Sequence, residues 1–311
     1  MTHTPPSWSA DLRGTTPDPR DRLLWTLAWY TYGAHLPYGT TPWDPATQPD
    51  LPTGWHRIDD DELASAGYST ATFRNHESGL RGEVFARGPG PMVLAFCGTN
   101  DRRDWVSNAD QALGRSAAQY TQAIDLAVQG HRSVGEDLVF TGHSLGGGLA
   151  AAAALATGLT AVTFDAAGLH ERTIAQAADA RHVTTRNALA DADDGQIRAY
   201  HTTTDLLTTL QANPEVPMPA ALGTQIALPV PASPARRGWR AAGLGLGAGL
   251  GAALGGLATG LSPAGARAGA AAGALVGQGV GAGIHGHLYR AIDGGLAALF
   301  EASAHSGETG E

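Results

Sequence analysis

Short, unbroken apolar runs alternate along the chain with longer stretches whose apolar positions recur at helical spacing. The runs Glu83–Arg87, Pro91–Cys97, Leu138–Phe140, Ala161–Phe164 and Ile197–His201 read as strands. Met92-Val93-Leu94-Ala95-Phe96 is apolar enough to lie at the centre of a sheet. Arg22–Tyr32 places Leu23, Leu24, Leu27 and Tyr30 near helical spacing and reads as an aromatic-rich core helix. Ser116–Gln129 is amphipathic, with Ser116 as cap and Tyr120, Ile124 and Val128 on one face. Leu149–Ala156 and Arg172–Ala180 read as further helices, and Trp55–Ile58 and Asp61–Ala66 as a strand followed by a short helix. Strands alternating with helices predict a mostly parallel sheet covered on both faces, an α/β fold.

The pattern fails at both ends and after residue 229. Residues 1–20 are rich in proline and polar side chains and are expected to form a flexible tail. Pro37–Thr53 reads as a surface loop. Pro229-Val230-Pro231-Ala232-Ser233-Pro234 is linker-like, and Arg236, Arg237 and Arg240 form a small basic cluster. Beyond them Ala241–Leu261 and Ala268–Ile284 are almost wholly small or apolar, with glycines recurring at four-residue spacing: Gly243, Gly247, Gly251, Gly255, then Gly269, Gly273, Gly277, Gly281. On a helix that spacing lines one face with glycine and lets two helices approach closely. A membrane-inserting hairpin is the favoured reading, although glycine weakens both helix formation and apolar burial. A low-complexity linker and a soluble helix pair are the alternatives. The expected organisation is therefore a tail over 1–20, a core over 21–235, a glycine-rich insertion over 236–284, a closing loop and helix over 285–300, and a polar tail over 301–311.

Composition narrows the function. With 29 acidic against 20 basic residues, nothing points to nucleic-acid binding. A single cysteine, Cys97, excludes an internal disulfide framework. The N-terminus lacks the apolar segment of a Sec signal, so export is expected to need a specialised secretion machine. No cofactor or metal enters this reading.

The chemistry centres on Gly142-His143-Ser144-Leu145-Gly146, set between the run Leu138–Phe140 and the small-residue helix. In a strand–turn–helix of this kind the serine occupies a strained turn, and the flanking glycines remove Cβ atoms that would collide. Ser144 then stands at a helix N-terminus, which favours developing negative charge. A serine hydroxyl needs a base, and the base a carboxylate, found here after the nucleophile in the order acid, then histidine. Asp165, Asp191, Asp193, Asp194 and Asp205 are the acids available. Asp205 is favoured because it follows the strand Ile197–His201; Asp165 also ends a strand, one element earlier, and Asp191–Asp194 reads as a solvated loop. Among the late histidines His285, His287 and His305, His287 is favoured, with His285 in contention. Leu145 N–H and Thr99, through its N–H and hydroxyl, are the expected oxyanion donors.

The phrases Leu94-Ala95-Phe96-Cys97-Gly98-Thr99, Asp104-Trp105 and Gly142-His143-Ser144-Leu145-Gly146-Gly147 resemble those of the class 3 (fungal-type) lipases, an α/β-hydrolase family, and their bacterial phospholipase-like relatives. The family usually has arginine where this chain has Cys97. The resemblance implies Ser144 as nucleophile, Asp205 as acid, His287 less securely as base, and Thr99 and Leu145 as oxyanion residues. Trp105–Gly114, Gln119-Tyr120 and Thr163–Leu169 are similar to bacterial lipase-domain toxins delivered by type VI or type IV secretion. That similarity implies a phospholipid substrate, action at target-cell membranes, and an immunity protein or secretion adaptor as partner. The leading expectation is a phospholipase working through an acyl-enzyme. Its rivals are a membrane-perturbing protein whose glycine-rich hairpin is the active element, and a soluble esterase of small esters.

Overall fold

A computed structural model of the protein describes residues 7–33, 50–66, 68–75, 77–98, 118–202, 208, 211, 219–229 and 292–301. Its centre is a seven-stranded sheet in the linear order β1 (His56–Arg57), β2 (Gly82–Ala86), β3 (Met92–Phe96), β4 (Leu138–His143), β5 (Ala161–Phe164), β6 (Ile197–Thr202) and β7 (Thr224–Leu228). β2 runs against both of its neighbours, and β3 to β7 are all parallel. The mixed α/β architecture expected from the alternating runs is thus present, in a form compatible with an α/β-hydrolase. Every side chain of β4 is buried, as its position between two parallel neighbours requires.

The helices divide between the two faces. α1 (Trp8–Leu12) and α2 (Asp21–Gly33) open the described chain, and α3 (Asp60–Ser65) and α4 (Thr70–Phe73) come between β1 and β2 in sequence. α3 begins in a capping box, the Asp59 carboxylate accepting from Glu62 N and Glu62 reaching back to Asp59 N. α5 (Ala118–Val134), α6 (Leu145–Thr157), α7 (Glu171–Ala180) and α8 (Thr185–Asp191) follow. A last helix, α9, covers residues 292–301. Leu94, Phe96 and Phe140 pack with α5, α6 and α7 on one face; Val93, Ala95, Val139, Val162 and Phe164 pack with α2, Ile292 and Leu296 on the other. This split follows the two-residue period of the strands.

Three departures from the sequence expectation have physical causes. Residues 8–12, placed in a flexible tail, instead form α1, with Leu12 1% exposed. What holds them is tertiary: Thr160 N donates to Ser9 Oγ at 2.8 Å, Thr160 Oγ1 donates to Ser9 O at 2.7 Å, and Arg198 donates to Leu12 O and Gly14 O. Strand β7 was not foreseen, because Thr-Gln-Ile-Ala-Leu opens on two polar residues and, as an edge strand, alternates half-buried and exposed positions before the buried Leu228. Asp191, read as part of a solvated loop, ends α8 and pairs with Arg181 at 2.7 Å and Arg13 at 3.7 Å; Asp193 and Asp194 are exposed.

A buried ion pair closes the α2 face. Arg198 Nε and Nη2 donate to the two Asp21 carboxylate oxygens at 2.8 and 2.6 Å, and Tyr200 Oη donates to Asp21 Oδ2 at 2.6 Å. Burial and the neighbouring Asp21 charge push the Tyr200 phenol well above its ordinary range. Among the described residues no helix is long and apolar enough to cross a membrane. The glycine-rich runs over 241–284 lie outside those residues.

Candidate active site

β4 delivers the chain to Ser144, and α6 takes it away from the next residue. The turn between them is tight enough to force Ser144 to φ 58°, ψ −124°, a conformation costly for a residue with a Cβ. A Cβ on Gly142 would lie 2.2 Å from Gly146 O, and one on Gly146 would lie 2.2 Å from Phe96 O. The two glycines therefore let the first turn of α6 cross β4 and press against the end of β3. Gly147 is equally committed, since its Cβ would meet Ala166 Cβ at 2.7 Å.

The strained conformation is held by backbone hydrogen bonds. Ser144 N donates to Phe164 O at 3.0 Å, tying the turn to the end of β5. Ser144 O accepts from Gly147 N at 3.0 Å, Gly148 N at 3.2 Å and Ala167 N at 2.9 Å. Ser144 itself is half-buried, while Leu145 is buried and opens the helix. The first amides of a helix have no intrahelical acceptor, so the Leu145 N–H stands at the positive end of α6 beside the serine.

Register places the neighbouring pieces. Phe96 pairs with Gly142, so the chain leaving β3 through Cys97 and Gly98 runs alongside His143 and Ser144. Thr99, the next residue, lies outside the described residues, as do Asp104 and Trp105. Asp205, His285, His287 and His305 also lie outside them. Of the expected site residues, Ser144 and Leu145 are adjacent at the elbow.

Asp165, the alternative acid, directly follows β5 at φ 42° and is 2% exposed. Its carboxylate accepts from Thr202 N at 2.7 Å and from Thr202 Oγ1 at 3.2 Å, and its own N–H donates to Tyr200 O at 2.8 Å. It thereby fixes the carboxyl end of β6, three positions before Asp205. Among the described residues no cluster of His, Cys, Asp and Glu is arranged to hold a metal ion.

One group at the elbow was not singled out from sequence. His143 is 3% exposed and ringed by Trp25, Trp29 and Tyr32, with ring centroids 5.7, 5.7 and 5.8 Å away. Tyr32 Oη lies 2.8 Å from His143 Nδ1 and 3.3 Å from His143 O. The available signal was the spacing of Trp25, Trp29 and Tyr32, which puts three large amphipathic rings on one side of α2.

Comparison with known proteins shows the family. Residues 44–280 match the family model of the Tle-like phospholipase domain, a phospholipase-like group. The chain is also 41% identical over 175 residues to an extracellular phospholipase A1 from Serratia liquefaciens. That likeness takes in 56% of this chain and 53% of the relative, so the chain spans about half the length of the relative it matches.

Proposed function

The chain belongs to the Tle-like phospholipase family, and from that premise we propose that it hydrolyses phospholipid esters through an acyl-enzyme on Ser144. The observation that carries this reading is the strained Ser144 turn, which the glycines at 142, 146 and 147 make room for. Strain of this kind persists only where the surroundings enforce it, and it gathers at functional sites.

In the proposed reaction Ser144 Oγ attacks the ester carbonyl carbon while its proton passes to His287, or to His285. Asp205 orients that imidazole and stabilises its charged form. The carbonyl oxygen, now an oxyanion, accepts from Leu145 N–H and from Thr99. Collapse breaks the bond to the leaving alkoxide, which takes the proton from the imidazolium and departs as lysophospholipid. Water then repeats the sequence on the acyl-serine and releases the fatty acid. The activity named for the Serratia relative supports a phospholipase A1 type of cleavage.

The finer proposals rest on the sequence. Kinship with class 3 lipases is supported by the Phe96-Cys97-Gly98-Thr99 and Gly142–Gly147 phrases. The core over 21–235 and 285–300, interrupted by a glycine-rich membrane-engaging insertion over 236–284, is supported by the composition break and by α9 packing on α2. Delivery as an effector against target-cell membranes, with an immunity partner, is supported by the likeness to lipase-domain toxins.

Mass spectrometry of phospholipid vesicles incubated with the protein tests the reaction. Lysophospholipid and free fatty acid should accumulate with wild type and not with Ser144→Ala. Equal product from the variant would remove Ser144 as nucleophile. Toxicity on periplasmic expression in a bacterial host, lost with Ser144→Ala, is the outcome expected of an effector.

A further inference from the structure

Tyr32 stands at the end of α2, far from Ser144 in sequence, yet its hydroxyl reaches the two chain segments that build the site. One is the nucleophile elbow, through His143 Nδ1 at 2.8 Å and His143 O at 3.3 Å. The other is the exit of β3: a Cβ on Gly98 would lie 1.9 Å from Tyr32 Oη and 2.6 Å from His143 O. The hydroxyl therefore sits in the notch between the residue before Ser144 and the residue before Thr99. Glycine at 98 is what leaves room for it.

We propose that Tyr32 is a positioning residue, whose hydroxyl sets the spacing between the nucleophile elbow and the strand end that leads into the oxyanion loop. This rests on the reading of Ser144 as nucleophile and of Leu145 and Thr99 as oxyanion donors. The hydrogen bonds at the hydroxyl are mutually compatible. With a proton on Nδ1, the imidazole donates to Oη, and the single hydroxyl proton goes to the His143 carbonyl. That carbonyl belongs to the peptide whose N–H is Ser144's own, so the bond fixes the plane from which the serine departs. His143 is held in place by Trp25 and Trp29 and in turn holds the phenol. Tyr32 touches no reacting atom; it acts through His143 and Gly98.

The consequence is specific. An oxyanion donor displaced relative to the attacking oxygen weakens stabilisation of the tetrahedral state and leaves ground-state binding alone. Misplacement of about 1 Å can cost roughly a hundredfold in rate. Loss of the Tyr32 hydroxyl should therefore lower kcat and leave KM nearly unchanged.

Hydrolysis of p-nitrophenyl butyrate, with thermal unfolding of the same preparations, separates this from a packing role. Tyr32→Phe should lose about tenfold to a hundredfold in kcat, with KM within about twofold of wild type. Ile124→Val trims a buried side chain of α5, in the core on the opposite face of the sheet from Tyr32; it should lower Tm while keeping kcat within about twofold. Wild-type kcat in Tyr32→Phe would overturn the proposal, as would kcat losses in both variants that simply track their losses in Tm. If Tyr32→Phe does not fold, His143→Leu carries the same expectation, because it removes the ring nitrogen and keeps the hydroxyl; wild-type kcat there overturns it too. Ser144→Ala runs alongside: activity surviving in it would sink the nucleophile reading itself, whatever the Tyr32 variants do.

Discussion

One face of the sheet is covered by α6, a helix of glycines and alanines whose Gly146 presses on the end of β3, whereas on the other α2 offers Trp25, Trp29 and Tyr32. All thirteen residues of α6 are buried, and its small side chains let the helix lie almost on the sheet backbone. The α2 face fills a deeper space with rings and places charged and polar groups among them: Asp21, Arg198, Tyr200 and His143. The first face is intolerant of added atoms, the second of lost ones. The Ser144 turn lies where they meet, because Ser144 leads into α6 while the residue before it points into the aromatic side.

The contrast can be broken most severely on the small-residue face. Gly146→Ala puts a methyl carbon 2.2 Å from Phe96 O; it should cost about 3 kcal/mol or more, or prevent folding, read by chemical denaturation. Next comes the aromatic face, where Asp21→Ala leaves the Arg198 guanidinium buried without its carboxylate. A loss of about 3–5 kcal/mol is expected there, and the loss should extend to α1, whose Leu12 carbonyl Arg198 also binds.

Two tyrosines sharpen the comparison because the same change should act in opposite directions. Tyr200 Oη donates to Asp21 at 2.6 Å, so Tyr200→Phe should destabilise by about 1–3 kcal/mol. Tyr120 Oη, on the α6 face, is buried with no hydrogen-bond partner among the described residues. Tyr120→Phe should therefore stabilise, by about 1 kcal/mol. Burial raises the Tyr120 phenol far above its ordinary value. Above about pH 10 the unfolded chain releases a tyrosine proton that the folded chain keeps, so stability falls as pH rises and Tyr120→Phe should flatten that fall. The smallest effect belongs to the surface pair Arg22–Asp293, at 3.1 Å and half exposed on the arginine side. Arg22→Ala should change stability by less than about 1 kcal/mol.

Much of this was legible in the sequence wherever local chemistry decides the structure. Ala161–Phe164 is a strand in both views because β-branched and aromatic residues between turns leave little choice. The Ser144 turn was legible because only glycine tolerates the approaches at 142 and 146. Elements fixed by distant partners were not. α1 looks like a tail until Thr160 and Arg198 are seen to grip it, and the Trp25–Trp29–Tyr32 surface looks like plain core until His143 is found inside it. The second oxyanion donor, the acid and the base rest on Thr99, Asp205 and His287 or His285, which lie outside the described residues.

The packing of α9 has one further consequence. A methyl on Gly295 would meet Leu228 Cβ at 3.0 Å and Pro229 O at 3.1 Å. The chain thus leaves the sheet at the end of β7 and is gripped again beside the same point. Whatever joins 229 to 292 closes a loop whose two ends the core already holds together. Doubling such a loop costs only about 0.6 kcal/mol of chain entropy. The core therefore puts almost no limit on how many residues can join those two points.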